Sequence, residues 1–152
     1  MTLELTDLRR GTADRYSWYP PFDRTVAYQN EHWWNSGWVY EDSPWYVQVL
    51  EGAVEVARVE LDDPGGINPE YAGVSELGPE QLEIQLIEVA TAAQGRSIGT
   101  DIVRALEKRH PDRRFFAYSE GAHRFWTSLG WERFDHPEGE QFHRPLFIQP
   151  VR

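Results

Sequence analysis

Residues Gln94 to Thr100 combine small, cationic and hydroxyl side chains in a way that suits anion binding. The stretch Q-G-R-S-I-G-T lies between an apolar run, L-E-I-Q-L-I-E-V-A, and a run with helical periodicity, D-I-V-R-A-L-E-K-R. A helix N-terminus has unpaired N–H groups and a positive dipole end, and small residues let its backbone approach a ligand. Arg96 adds a charge, and Ser97 and Thr100 add hydroxyl donors. The stretch predicts a phosphate site, with an ordinary glycine turn as the alternative.

Metal and thiol chemistry have no support in the sequence. The chain has no cysteine, which removes disulfides, zinc thiolates and a cysteine nucleophile. Its five histidines show no H-x-x-x-H or similar pairing. We therefore predict no metal site.

Tryptophan and tyrosine are concentrated near the N-terminus. The rings of most interest are Trp18, Tyr19, Trp33, Trp34, Trp38 and Trp45. Aromatic faces bind cations, particularly beside carboxylates such as Glu31, Glu41 and Asp42. A site for a cationic ligand is one interpretation, and a packed core or a homodimer contact is the other.

The composition is that of one domain of ordinary size. The chain has 152 residues, 40% of them hydrophobic, and a formal net charge of −10. Fifteen lysines and arginines against 25 acids disfavour nucleic acid as a partner, whereas a cationic molecule would be attracted. No apolar run approaches the roughly 18 residues of a membrane span, and the acidic N-terminus is unlike a signal peptide. We expect a cytoplasmic protein.

The elements that would position the anion site alternate between strands and helices. We predict strands at residues 2–5, 45–50, 53–61, 82–90, 114–118, 131–135 and 141–148. We predict helices at residues 25–37, 99–109 and 120–129. The alternation in 53–61 indicates a half-exposed strand, entered through a tight turn at Glu51-Gly52. Asp62–Glu80, rich in proline and glycine, is predicted to be a functional or mobile loop, and a short helical turn within it is the alternative.

This order predicts an α/β domain with a mixed sheet. We expect a single domain over 1–152, made of an aromatic segment, 1–44, and a core, 45–152.

Two motifs make the chain resemble the GNAT superfamily of N-acyltransferases. The acetyl-CoA signature has a strand ending in Val and, five residues later, Q/R-x-x-G-x-G/A at the start of a helix. Val89 and the stretch Gln94–Gly99 match it, except that Ser97 replaces the first glycine. A second motif, A-x-x-F-Y-x-x-L-G-F, matches Ala122–Trp131, with Trp126 at the tyrosine position.

The resemblance implies a mostly antiparallel sheet with splayed central parallel strands, flanked by helices. It implies that the pantetheine arm of acetyl-CoA pairs with the backbone of Leu86–Ala90 and that the diphosphate binds the N–H groups of the following loop. The residues expected to contact the coenzyme are Ile87, Val89, Gln94, Gly95, Arg96, Ser97, Ile98, Gly99, Thr100, Ser119 and Trp126.

The resemblance also suggests the groups that would move protons. Glu83 stands six residues before Val89, at the offset of the base glutamate in histone-type members, and Glu88 and His123 are alternatives. Many relatives use the motif tyrosine as the acid, but an indole N–H such as that of Trp126 cannot deliver a proton at neutral pH. Tyr118 or water is expected to replace it.

The resemblance therefore implies an acetyl-CoA-dependent N-acetyltransferase. Its acceptor would be a primary amine on a small cationic molecule or a peptide. A non-catalytic acyl-CoA-binding or structural relative is the second hypothesis, because Ser97 and Trp126 depart from the pattern. A binding module without a cofactor is the third.

Overall fold

One β-sheet runs through the computed structural model, which describes residues 2–35 and 37–152. In this part of the chain, seven strands are arranged in the order β1-β2-β3-β4-β5-β7-β6. The strands are β1 Leu3–Arg9, β2 Trp45–Glu51, β3 Val54–Asp62, β4 Gln81–Val89, β5 Arg114–Tyr118, β6 Glu132–Phe134 and β7 Leu146–Ile148. The helices are α1 Ile98–Arg109 and α2 His123–Ser128, with 3-10 turns at Glu31–Trp34, Gly37–Tyr40, Gly78–Glu80 and Thr91–Ala93. The sheet is mostly antiparallel with one parallel pair, which confirms the predicted fold class.

Most of the core elements were predicted closely. Strands β2 to β5 and helix α1 begin and end within one residue of the predicted positions. The last two strands are shorter than predicted. One reason is that Pro145, which precedes β7, has no N–H to donate to a sheet. Another is that residues 136–143 turn back on themselves, with Gly139 N–H donating to the His136 carbonyl at 2.9 Å.

Contacts divide the chain into two compact units. The first contains the residues up to Leu61 together with Leu86–Val103, and the second contains Asp62–Gln85 and Arg104–Arg152. Strand β4 and helix α1 contribute residues to both units. Among the described residues, none of the helices has the length and apolarity that a membrane crossing requires.

The first unit begins with three antiparallel strands. Strand β1 pairs with β2 along its whole length, and β2 pairs with β3 through a hairpin. Glu51 pairs with Val54, so the turn residues are Gly52 and Ala53 rather than the predicted Glu51 and Gly52. Both have positive φ, 56° and 68°, which is the geometry of a two-residue turn that follows the strand twist.

Strand β3 is buried on both faces, so the prediction of a half-exposed strand was wrong. Glu55, Arg58 and Glu60, which alternate with the apolar residues, are all buried. The N-terminal segment covers their face. The guanidinium of Arg58 lies 4.5 Å from the ring centre of Phe22 and 4.1 Å from that of Tyr28.

The buried carboxylate of Glu55 is fully hydrogen-bonded. Its Oε1 accepts from the Asp23 N–H and from Gln48 Nε2, both at 2.9 Å. Its Oε2 accepts from the Tyr28 hydroxyl at 2.9 Å and from Arg58 Nε at 2.8 Å. Burying charge is costly unless it is paired and hydrogen-bonded, and this network meets both conditions.

The helix predicted at 25–37 is not formed over residues 25–35 and 37. Ser36 lies outside the described residues. Two 3-10 turns take its place, at Glu31–Trp34 and Gly37–Tyr40. Other parts of the chain take backbone groups that a helix over 25–37 would have used. The Asn30 N–H donates to Glu88 Oε2 at 2.9 Å, and the Ala27 carbonyl accepts from the Thr91 N–H at 3.0 Å.

The second unit packs an apolar cluster against the other end of the sheet. Its buried members are Tyr71, Leu77, Phe116, Leu146 and Ile148. Strand β5 pairs with β7, and β7 pairs with β6, both antiparallel. Strand β5 also pairs in parallel with β4, where Gln81–Glu83 face Arg114–Phe116. That pairing is short relative to both strands, as the resemblance implies for strands that splay.

Replacing Tyr28 by Phe tests the buried network in the first unit. Burial and the Glu55 carboxylate raise the pKa of Tyr28, so its hydroxyl stays a donor at neutral pH. Tyr28→Phe leaves Glu55 one bond short. We expect the free energy of unfolding in urea to fall by about 1–2 kcal/mol. Tyr16→Phe is the control, because Tyr16 is 82% exposed. Equal free energies of unfolding for Tyr28→Phe and Tyr16→Phe would contradict the assigned hydrogen bond from Tyr28 to Glu55.

Candidate active site

The predicted anion loop is an exposed turn that leads directly into α1. After the 3-10 turn Thr91–Ala93, residues Gln94–Ser97 are exposed and α1 begins at Ile98. The first helical bond in this region runs from the Asp101 N–H to the Ser97 carbonyl, at 3.2 Å. The N–H groups of Ile98, Gly99 and Thr100 precede it and have no acceptor within the helix. The loop thus presents backbone donors at the positive end of the α1 dipole.

Two left-handed residues shape this loop. Gly95 has φ 79°, which glycine adopts without strain, and Ser97 has φ 59°. A side chain in this region costs roughly 1–2 kcal/mol. Ser97, at the signature glycine position, therefore adopts a conformation that glycine would take more easily.

Arg96 is already paired with a carboxylate. Its Nη2 lies 2.9 Å from both carboxylate oxygens of Glu51, at the end of β2. Half of the Arg96 side chain is exposed. Exposed pairs contribute about 0–1 kcal/mol, so Arg96 can exchange this partner for another anion.

Strand β4 leads into the loop with its side chains alternating. Ile87 and Val89, both predicted to contact a coenzyme, are half-buried, whereas Glu88 between them is buried. Ile98 at the helix start is also buried, and Gly99 and Thr100 are half-buried. Of these predicted contact residues, Ile98 faces the protein interior, and its expected contribution is through its backbone.

Glu88 binds the N-terminal segment and is therefore a poor candidate for the base. The residue is 7% exposed. Its Oε1 accepts from Trp34 Nε1 at 2.9 Å, and its Oε2 accepts from the Asn30 N–H at 2.9 Å and from Asn30 Nδ2 at 3.0 Å.

The aromatic cluster mainly fills the core of the first unit. Trp34 is fully buried, with its ring centre 5.8 Å from that of Phe22 and 6.4 Å from that of Tyr46. Trp38 and Trp45 are also buried, whereas Tyr19 is exposed. The packed-core interpretation therefore holds for the buried rings.

In the second unit, Glu83 lies under the loop that follows β3. The residue is 9% exposed. Gly65, with φ 77°, lies so close that an added Cβ would be 2.5 Å from the Cβ of Glu83 and 2.7 Å from its Oε1. The same Cβ would lie 2.9 Å from the Phe116 ring. Only glycine fits at this position, and no sequence motif signalled it.

Tyr118, the other predicted catalytic residue, is bound by the same loop. Its hydroxyl accepts from the Asn68 N–H at 2.8 Å and donates to the Gly66 carbonyl at 3.2 Å. Burial raises the pKa of Tyr118, with smaller contributions from Tyr71 and the Glu83 carboxylate. Segment Gly65–Asn68 thus covers both Glu83 and Tyr118.

Arg113 connects the two ends of the loop that follows β3. Its guanidinium pairs with Asp63 at one end and donates to the carbonyls of Glu80 and Gln81 at the other, at 3.1 and 2.7 Å. Gln81 Nε2 also donates to the Gly65 carbonyl at 3.2 Å. These bonds fix both ends of the loop, so movement would involve the residues between them.

Ser119 and Trp126, both predicted to contact a coenzyme, are buried in the second unit. Ser119 Oγ accepts from the Ala122 N–H at 3.2 Å and lies 2.8 Å from His123 Nδ1. His123 Nε2 contacts the Glu140 carboxylate, so both of its ring nitrogens have partners. Trp126 packs against Trp131, with ring centres 4.8 Å apart.

His136, Glu138 and His143 approach each other, although the sequence showed no metal spacing. Their ligand atoms lie within 4.8 Å of one another. Nevertheless, His136 Nδ1 accepts from the Glu138 N–H at 3.0 Å, and its Nε2 lies 2.7 Å from Glu70 Oε2. The two imidazoles stack face to face, 3.6 Å apart, so their lone pairs do not converge. We interpret this cluster as structural.

Replacing Ser97 by Gly should stabilise the protein. The substitution removes the cost of holding a residue with a side chain in the left-handed region. This gain is partly offset because glycine makes the unfolded chain more flexible. We expect the free energy of unfolding to rise by about 0.5–1 kcal/mol. Ser128→Gly, at the last residue of α2, is the matched control and should lower it by about 0.5 kcal/mol. A lower free energy of unfolding in Ser97→Gly would refute the left-handed backbone conformation assigned to Ser97.

Adjacent glycines test the contact over Glu83. Gly65→Ala must displace the loop or Glu83 and strains the backbone, so it should lower the free energy of unfolding by about 2 kcal/mol or more. Gly66→Ala meets nothing within 4 Å and should change it by no more than about 0.5 kcal/mol. Urea unfolding compares them, and equal effects would exclude the close contact.

Comparison with known proteins identifies solved structures of similar fold. An acetyltransferase from Thermus thermophilus is similar over 74% of this chain and 67% of its own, with 14% identity and a TM-score of 0.53. A bacterial toxin is similar over 96% of this chain and 90% of its own, with 11% identity and a TM-score of 0.53. These two likenesses concern the fold alone. An N-acetyltransferase from Bacillus subtilis, solved with coenzyme A, has 20% identity over 69% of this chain and 67% of its own, and a TM-score of 0.49.

The family comparison covers most of the chain. No protein of curated function matches the sequence significantly. The model of the acetyltransferase (GNAT) family matches residues 6–131, a range that includes Glu83, the anion loop and Tyr118. Because this match spans far more than half of the residues, the chain belongs to the acetyltransferase (GNAT) family.

Proposed function

We propose that this acetyltransferase moves the acetyl group of acetyl-CoA to a primary amine on a small cationic molecule or a peptide. Family membership supports the acyl transfer. The observation that carries the proposal is the loop Gln94–Thr100, an exposed turn with left-handed residues that opens a helix. A loop of this kind suits the diphosphate of a coenzyme.

In the proposed complex, the coenzyme lies on the first unit. The diphosphate accepts hydrogen bonds from the N–H groups of Gly95–Thr100, and Arg96 exchanges Glu51 for a phosphate. The pantetheine arm pairs with the backbone of Leu86–Val89, one residue less than the run Leu86–Ala90 that the resemblance implies. This run lies beyond the last β4 residue that pairs with β5, Glu83. Ala90 N–H already donates to the Val56 carbonyl at 2.8 Å, so strand β3 holds this end of β4 in place.

Glu83 is the proposed base. The protonated amine loses a proton to the carboxylate, and the nitrogen lone pair attacks the carbonyl carbon of the thioester. A C–N bond forms and the C–S bond breaks. The acylated nitrogen releases its second proton to solvent, and the sulfur leaves as a thiolate that takes up a proton. Gly65 lies against Glu83, so the acceptor reaches the carboxylate only when the Gly65 carbonyl leaves Gln81 Nε2 and segment Gly65–Asn68 moves.

Tyr118 or water supplies the proton for the thiolate. Trp126 is buried against Trp131 and carries no acidic group, so it does not serve. The raised pKa of Tyr118 keeps its hydroxyl protonated at neutral pH, but its bond to the Gly66 carbonyl must break first. Movement of the same loop segment would free both Glu83 and Tyr118.

A cationic acceptor suits the charge and the rings near Glu83. The net charge of −10 attracts cations to the protein. Tyr118 packs against Phe116 and Tyr71, with ring centres 6.2 and 5.5 Å away. Aromatic faces next to a carboxylate bind an ammonium group favourably.

A non-catalytic acyl-CoA-binding role is the second candidate. It is favoured by the strained Ser97 at the signature glycine position and by the buried Trp126 at the tyrosine position. In that case the protein would bind the coenzyme without turnover.

Titration with acetyl-CoA separates these candidates. A ligand at 100 times its Kd stabilises the folded state by about 2.7 kcal/mol, so we expect the melting temperature to rise. Release of the coenzyme A thiol is then followed across a panel of primary amines. Stabilisation without release would support the second candidate, and no stabilisation would contradict both.

Replacing Glu83 by Gln tests the base. We expect kcat to fall by about 10²–10⁴-fold, because a general base contributes that much. The Kd for acetyl-CoA should stay within about twofold, since the coenzyme is assigned to other residues. Glu80→Gln, an exposed neighbour, is the control. Full activity of Glu83→Gln would exclude the assigned role.

A further inference from the structure

The carboxylate of Glu88 joins two parts of the first unit that are distant in sequence. Glu88 lies within β4, in the backbone run proposed to bind the pantetheine arm. Its side chain accepts one bond from Trp34 and two from Asn30, at 2.9–3.0 Å. Burying a carboxylate among neutral N–H donors is costly compared with an apolar side chain. The Glu88 carboxylate therefore serves to fix Asn30 and Trp34 in place next to β4, more than to raise the free energy of unfolding.

A second bond places the same segment at the end of β4. The Thr91 N–H donates to the Ala27 carbonyl at 3.0 Å, just beyond the strand. Trp34 belongs to the buried cluster against which Leu86 packs, on the same strand. The segment Ala27–Trp34 therefore contacts β4 at Glu88 and the chain just beyond it at Thr91, and its Trp34 belongs to the cluster that Leu86 packs against. A shift of this strand must move the segment too.

We propose that Glu88 is a positioning residue that couples the segment Ala27–Trp34 to the coenzyme-binding strand. The inference rests on the proposed function, in which the coenzyme pairs with Leu86–Val89. Coenzyme binding fixes this backbone, and the Glu88 carboxylate transmits the change to Asn30 and Trp34. Because coupling is reciprocal, the bonds made by Asn30 and Trp34 also set the affinity of the strand for the coenzyme.

Replacing Glu88 by Gln breaks this link with little change in volume. A glutamine offers one oxygen and one NH₂ group, whereas the site contains donors on both sides. If its oxygen accepts from Trp34, its NH₂ group faces the two donors of Asn30. The reverse orientation leaves the indole N–H facing the NH₂ group. In either orientation, Glu88→Gln loses the hydrogen bond from Trp34 or those from Asn30.

Glu55 provides a matched control in the same unit. It is also a buried glutamate with a full set of donors, but it lies on β3, and its hydrogen-bond partners are not among the residues assigned to the coenzyme. Glu55→Gln should lose stability without a specific effect on coenzyme A. If it does not fold, the milder Gln48→Ala, which removes one donor to Glu55 and lies outside the segment Ala27–Trp34, replaces it.

The experiment measures the Kd for coenzyme A and the NMR signal of the Trp34 indole N–H during the titration, with the signal assigned by Trp34→Phe. In the wild type, we expect this signal to shift as coenzyme A binds. In Glu88→Gln, the Kd should rise by about 3- to 30-fold, the range of typical coupling changes, and the signal should no longer respond. In the control, the Kd should stay within about twofold of the wild-type value.

Two outcomes would overturn the coupling alone: a wild-type Kd in Glu88→Gln, or an equal rise in Glu88→Gln and the control. Absence of coenzyme A binding by the wild-type protein would instead overturn the proposed function together with the coupling. The wild-type titration gives this result before any variant is made. If Glu88→Gln does not fold, Asn30→Ala, which removes one donor, should raise the Kd by about two- to fivefold. An unchanged Kd in Asn30→Ala would then count against the coupling.

Discussion

The left-handed backbone at Gly95 and Ser97 is the constraint on which the proposed site depends. It turns the chain from the end of β4 into α1 within a few residues, so that the first N–H groups of the helix directly follow the exposed residues Gln94–Ser97. A right-handed backbone at either residue would send the chain along another path and point these donors elsewhere. The serine is tolerated because the fold as a whole outweighs a local cost of roughly 1–2 kcal/mol.

Strand β4 carries most of the remaining assignments. Its first residues pair with β5 and hold Glu83, and its later residues hold Glu88 and lead to the loop. The two glutamates lie on one strand, yet their surroundings differ. Glu88 is bonded to three neutral donors, whereas Glu83 lies under a glycine and next to aromatic rings. We propose Glu83 rather than Glu88 as the base because Glu88 holds the N-terminal segment, whereas Glu83 lies under the same loop as Tyr118.

The sequence predicted the elements whose patterns depend on local periodicity. Strands β2 to β5 and helix α1 show clear apolar spacing, and their ends carry glycine or proline. The junction between β4 and α1 was predicted for the same reason, because small residues separate two periodic runs. The position of the loop therefore followed from local chemistry.

Features that depend on tertiary packing were not predictable in this way. The alternation in β3 indicated a half-exposed strand, but a distant segment buries Glu55 and Arg58. The helical pattern at 25–37 gave way because Glu88 and the Thr91 N–H take backbone groups that the helix would have used. Gly65 looked like an ordinary loop glycine, and only the path of the loop over Glu83 shows why a side chain cannot fit.

The central claim is that backbone amides in front of α1 bind the diphosphate of the coenzyme. The most direct test follows the backbone N–H signals of Gly95–Thr100 by NMR while coenzyme A is added. The account predicts that these signals change first and most, in proportion to the bound fraction. Saturable binding that leaves them unchanged and alters signals elsewhere would contradict it.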